Sequence, residues 1–193
     1  DTLAEACSAI QRYDDAEVLS GGQSVLPMLR QRVITPEYVV DISHLDDEAY
    51  IRRDGDEIEI GCLTTYAAIE KSSVVREHCE VLADTVATIG DRQVRNRGTL
   101  CGSIAHADPS GDPPVIATAL DAEIVATGVD GETVYDPDSF FHGFYETALG
   151  DELVTAVRLP VLGPSVGAAY EKYEPSEGAY PTATVAAVVE LDD

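Results

Sequence analysis

The stretch Leu19-Ser20-Gly21-Gly22-Gln23-Ser24-Val25-Leu26-Pro27 (LSGGQSVLP) decides how the first part of the chain folds. Ahead of it, Glu17-Val18-Leu19 reads as a short strand. Behind it, Val25 to Arg32 reads as a helix, with Pro27 tolerated in the first turn. Glu37 to Ile42, apolar at Val39, Val40 and Ile42, is a second strand. Before this unit, Thr2 and Glu5 form a capping-box pattern ahead of Leu3, Ala6, Cys7 and Ile10, which predicts an amphipathic helix over 2–12. A strand that enters two glycines and leaves as a helix can hold a phosphate. Glycine lets the backbone come close, and free N–H groups at the helix start face the anion. Gln23 and Ser24 could add side-chain donors. The same pattern also serves as a plain tight turn, and its spacing is not that of Gly-x-Gly-x-x-Gly. Asp41 falls about 20 residues on, where dinucleotide folds put a ribose acid; without the spaced glycines this is coincidence.

The chain then changes character. Residues 50–60 read as a hairpin around Asp54-Gly55, and Ile124-Val125-Ala126 and Thr133-Val134-Tyr135 flank another turn at Asp130-Gly131. Thr64-Thr65 can cap a helix through Lys71, Glu77 to Ile89 reads as one longer helix, and Pro113 to Ala119 as another. Leu153 to Leu159 and Ala168 to Tyr173 are strands. A last run, Ala183 to Leu191, also reads as a strand, so the sequence is expected to continue in the intact protein.

A second glycine-bearing stretch, Arg95 to Asp112, has many small and polar residues and little periodicity, which predicts a long ordered loop. Compact domains seldom keep such a loop without a function. Its backbone N–H groups could hold more of a dinucleotide's phosphates, and Asp112 could accept from sugar hydroxyls. His106, Asp108 and Asp112 could instead ligate a metal, but no second His lies near. Otherwise His106 is a hydrogen-bonded loop residue.

Charge sets the class of partner. The chain carries 36 acidic against 12 basic residues, a net charge of −24, and only Lys71 and Lys172 are lysines. Such a surface repels nucleic acid and anionic membranes. The carboxylates are dispersed rather than gathered in a tail, as on proteins working in near-saturated salt, where repulsion is screened. No apolar stretch approaches the roughly 20 residues a membrane span needs. The four cysteines, Cys7, Cys62, Cys79 and Cys101, are far apart and form no C-x-x-C pair, which fits a reducing cytoplasm and argues against an iron–sulfur or zinc site.

Taken together, LSGGQSVLP (19–27), IGDRQVRNRGTLCG (89–102) and AHADPSGD (105–112) resemble the FAD-binding medium subunit of the carbon monoxide dehydrogenase and xanthine dehydrogenase family. Phe140-Phe141 with Gly143, Glu146-Thr147, the strand from Glu152 to Pro160 and Tyr170-Glu171-Lys172 extend the resemblance over nearly the whole chain, closest to the carbon monoxide dehydrogenase branch. It implies an α+β FAD-binding fold of the molybdopterin dehydrogenase / vanillyl-alcohol-oxidase type, two subdomains with FAD in the cleft between them. Residues 1–48 would form the first and residues 49–193 the second, with the family's C-terminal subdomain absent from this chain.

By the same resemblance Leu19, Ser20, Gly21, Gly22, Gln23, Ser24 and Val25 wrap the pyrophosphate, and Ile89 and Gly90 lie against the cofactor. Thr99, Gly102 and Ser103 bind along the second stretch, and Asp112 meets sugar or ribityl hydroxyls. Leu153 or Val154 packs on the isoalloxazine, with Lys172 and Tyr180 near its other side. No catalytic side chain is implied, because flavin carries the chemistry. Electrons would come from a molybdopterin large subunit through a [2Fe–2S] small subunit and leave to an external acceptor. One departure stands out. The family has two adjacent glycines where this chain has Cys101-Gly102, so a need for positive φ or close approach at 101 would strain the loop and weaken FAD binding. Rival readings are a dinucleotide-binding module without turnover, a truncated inactive copy, and an NAD-dependent dehydrogenase, which would need the missing Gly-x-Gly-x-x-Gly.

Overall fold

A computed structural model describes residues 2–176 and 178–191. Helix α1 (Leu3–Arg12) begins where the Thr2 hydroxyl accepts from the Glu5 amide, and it buries Ala6 and Cys7. Strand β1 (Ala16–Leu19) runs through the glycine loop into α2 (Val25–Gln31), and β2 (Tyr38–Asp41) returns parallel to β1 with Val18 opposite Val40. Parallel neighbours need a crossover, which α2 supplies.

A five-stranded antiparallel sheet forms the centre. Its strands are β3 (Ile51–Asp54), β4 (Glu57–Gly61), β5 (Glu123–Gly128), β6 (Gly131–Tyr135) and β9 (Leu153–Pro160), in the order β3-β4-β9-β5-β6. Alternation along β4 sends Ile58 and Ile60 inward and Glu59 outward. On the outer face Arg158 lies 2.9 Å from Glu59, 3.4 Å from Glu132 and 3.6 Å from Glu123.

The helices between β4 and β5 cover the inner face: α3 (Tyr66–Lys71), α4 (Ser73–His78), α5 (Glu80–Ala87), α6 (Arg92–Arg95), α7 (Leu100–His106) and α8 (Asp112–Ala119). Ile69, Val75, Leu82, Val86, Leu100, Ile104 and Ile116 form one core with Ile58, Ile60, Ile124 and Val157 of the sheet, each fully buried. Between β6 and β9 lie α9 (Pro137–Phe140), β7 (Phe141–Gly143) and β8 (Glu146–Thr147). Strands β10 (Val166–Tyr173) and β11 (Ala183–Glu190) form an antiparallel hairpin of their own against α5 and α8. The architecture is α+β.

Two expectations need correction. The single helix over 77–89 is two helices, α4 and α5, because Ser72 caps the Val75 amide and starts a helix earlier, and Cys79 leaves helical geometry at φ −155°, ψ 59°. The break frees the His78 carbonyl, which accepts from the Leu162 amide at 2.9 Å. The long loop expected over 95–112 is half helical: Arg95 ends α6, α7 takes the middle, and Asp112 begins α8. Asp91 accepts from the Val94 amide and Thr99 from the Gly102 amide, and these caps start α6 and α7. At four and seven residues the helices are too short to show a periodic pattern.

Candidate FAD site

The glycine loop is shaped by what it touches. Gly22 is buried and adopts φ +77°, in the left-handed region that favours glycine. Gly21 abuts the other glycine-bearing segment so closely that an added Cβ would lie 2.0 Å from the Arg97 carbonyl oxygen. The Leu19 carbonyl accepts from the Ile42 amide, so the end of β1 stays paired up to the loop. Gln23 is exposed, Ser24 and Val25 are half-buried, and the Ser24 side chain makes no cap bond to α2.

The facing wall begins at Gly98, whose carbonyl accepts from the Tyr66 amide at 3.0 Å. Thr99 then does two things. Its hydroxyl caps Gly102 and lies 3.1 Å from the Ser20 hydroxyl, joining two loops that are 79 residues apart in sequence. One turn on, the Ser103 hydroxyl is hydrogen-bonded to that of Tyr66. Ser20, Gly21, Arg97 and Thr99 line one cleft, together with Ser43 and Thr65.

Cys101 does not strain this wall. It sits in the first turn of α7 with ordinary helical geometry, 1% exposed, its thiol directed to the Ile60 carbonyl at 3.8 Å. The backbone at 101 is helical, so the positive φ that would have called for glycine is not adopted there. Burial pushes its thiol pKa well up. Burial likewise raises Cys62 to about 12 and Cys79 to about 11, and all four cysteines are free.

Further along, Asp112 opens α8 and is 5% exposed. One of its oxygens accepts from the Tyr170 hydroxyl, and the other is 3.3 Å from the Lys172 ammonium. Lys172, itself nearly buried, also donates to the Thr88 carbonyl at 2.8 Å and lies 3.4 Å from Glu174. It thus fixes the turn that carries Ile89 and Gly90, whose carbonyls both accept from Arg95. Burial pushes the Tyr66 hydroxyl pKa up, the bond to Ser103 offsets part of this, and the charge of Asp112 adds to it.

The structure therefore brings Ser20, Gly21, Thr99, Gly102 and Ser103 together, and ties Asp112 and Lys172 to the turn before Ile89. Leu153 and Val154 are buried at the start of β9, which packs on α7. Tyr180 is 70% exposed and within electrostatic reach of Asp108 and Tyr66. His106 ends α7 with its ring 5.2 Å from that of Tyr145. Among the described residues, no three of His, Cys, Asp and Glu are gathered as a metal ion would need. Tyr66, Arg97 and Tyr170 also shape the site, and nothing local in the sequence marks them. Their partners lie 37 to 76 residues away.

The donor set suits a dinucleotide. Gly21 and Gly22 carry no Cβ to shield the backbone amides of the first loop, hydroxyls stand at Ser20, Thr99 and Ser103, and one cation and one buried carboxylate lie beyond them. Phosphates call for the first kind of group, and a polyhydroxyl chain for the last.

Residues 1–162 match the family described as the FAD binding domain in molybdopterin dehydrogenase. The chain belongs to this family. Its cofactor is FAD. It is 36% identical to the glyceraldehyde dehydrogenase medium chain of Sulfolobus acidocaldarius, covering 99% of this chain and 68% of the relative. It is 37% identical to the carbon monoxide dehydrogenase medium chain of Hydrogenophaga pseudoflava, covering 97% and 66%. The structure of a carbon monoxide dehydrogenase from that organism, one that lacks the Mo-pyranopterin moiety, superposes with a TM-score of 0.96 at 35% identity, over 100% of this chain and 68% of that one. The FAD-binding chain thus spans about two thirds of the length of these relatives. Among its described residues, no helix is long and apolar enough to cross a membrane.

Proposed function

We propose that this chain is the electron-transfer subunit of a carbon monoxide dehydrogenase-like molybdenum hydroxylase, taking electrons from the [2Fe–2S] clusters of a small subunit fed by a molybdopterin large subunit. The observation that carries the reading is the junction of the two loops, Ser20 to Thr99 at 3.1 Å with Gly21 against Arg97. That junction supports the reading because it brings Ser20 and Gly21 beside the start of α7, where a pyrophosphate straddling two subdomains would lie. The division at residue 48 is part of this reading.

When bound, FAD supplies one- and two-electron chemistry; the protein supplies binding, orientation and electrostatics. Leu19 to Val25 and Thr99, Gly102 and Ser103 hold the phosphates. Asp112 accepts from the ribityl or sugar hydroxyls, and Leu153 or Val154 gives an apolar contact to the ring. Lys172 and Tyr180 lie toward its other side, and Lys172 holds the turn at Ile89 and Gly90 in place. The medium chains it resembles belong to proteins named for an aldehyde and for carbon monoxide, so the substrate is chosen on another subunit.

The test is anaerobic mixing of the FAD-loaded chain with its reduced iron–sulfur subunit in high salt. Rapid bleaching of the flavin absorption is expected. A flavin that stays oxidised beside a reduced partner would instead favour a binding module without turnover or an inactive copy.

A further inference from the structure

Asp112 has almost no exposure to water, and its surroundings decide what it can do. An ionised carboxylate offers about four acceptor positions. Tyr170 takes one on the first oxygen and Lys172 one on the second. Both side chains come from the inner face of β10, two residues apart, with Tyr170 opposite Ala186 and Lys172 opposite Thr184. The Thr184 hydroxyl reaches Tyr170 in turn. Around them the hairpin offers only small apolar groups to the core, Ala168 and Ala186.

The two donors are not equivalent. Lys172 is a charged group shared among Asp112, Glu174 and the Thr88 carbonyl, on a long flexible stem. Tyr170 is a rigid ring whose hydroxyl points to one oxygen of Asp112 across 58 residues of sequence. Without it, nothing among the described hydrogen bonds keeps the carboxylate from turning both oxygens to Lys172. A turned carboxylate would withdraw its remaining lone pairs from the cleft.

We propose that Tyr170 is a positioning residue for the flavin half of FAD: its hydroxyl locks the Asp112 carboxylate so that the remaining lone pairs meet the ribityl hydroxyls. This rests on the reading that Asp112 faces that half of the cofactor. Tyr170 then sets how tightly the flavin end is held without touching it. It also tempers the negative charge near the ring, so its loss makes the flavin harder to reduce.

The experiment compares the whole chain with its Tyr170→Phe variant in high salt, measuring affinity for FAD and for ADP, the flavin midpoint potential, and the melting temperature without cofactor. A hydrogen bond to a charged group typically carries about a ten-fold effect or more, so FAD affinity should fall about ten-fold. ADP affinity should stay within about two-fold, and the potential should move negative. In an Asp112→Asn background, Tyr170→Phe should add nothing further. Equal losses for FAD and ADP would show a merely structural role and overturn the proposal. So would unchanged FAD binding, or the same loss with Asp112 already replaced. Failure of the unaltered chain to bind FAD is a separate result, and it would remove the functional reading itself.

Discussion

The two walls of the cleft are built in opposite ways. The second wall is rooted in the core: Leu100, Cys101 and Ile104 of α7 are each no more than 1% exposed. The first wall is laid on the outside. Helix α2 buries no residue, and Leu26, Val33, Tyr38 and Val39 around it are 44–69% exposed. A rigid wall and a thin one meet at Ser20 and Thr99. Elements with few buried contacts open most easily, and a ligand that binds only the closed form stabilises them most. In this molecule, then, the second wall owes its shape to the core, while the first depends on its contact with the second and on the cofactor between them.

Gly21→Ala attacks the junction directly and should have the largest effect. Its methyl group would fall 2.0 Å from a backbone oxygen, so the walls must part. FAD affinity should drop by about two orders of magnitude or more, equivalent to roughly 3 kcal/mol, while the melting temperature without FAD changes little. Titration with FAD and calorimetry separate these outcomes. A variant that binds FAD normally would mean that the close approach is not needed for binding.

Cys101→Gly alters the rooted wall instead. It restores the paired glycines of the family at a helical, core-facing position. Helix propensity and lost packing should cost about 1–3 kcal/mol in stability, read by denaturant unfolding, with FAD affinity kept within about two-fold. A gain in FAD affinity would show that Cys101 does impede the cofactor.

Much of the thin wall was legible in the sequence because its signals are local. Thr2 and Glu5 mark the start of α1, and the paired glycines separate β1 from α2. The hairpins at Asp54-Gly55 and Asp130-Gly131 were legible for the same reason. The rooted wall was harder to read. Asp91 and Thr99 each stand three residues before the amide they cap, and Leu100, Cys101 and Ile104 lie on one face. That signal was present, but the many glycines and polar residues around it pointed to a loop. The site residues came from the resemblance to a family rather than from spacing. Tyr66 and Tyr170 are joined to Ser103 and Asp112 only by the tertiary fold.

Amide hydrogen exchange of the chain in high salt, with and without saturating FAD, shows directly where the cofactor sits. If FAD lies between the two walls, exchange slows at residues 19–25 and 98–103, with the larger change in the thin wall. Protection confined to other parts of the chain, or none at either loop, would contradict a cofactor seated where Ser20 meets Thr99.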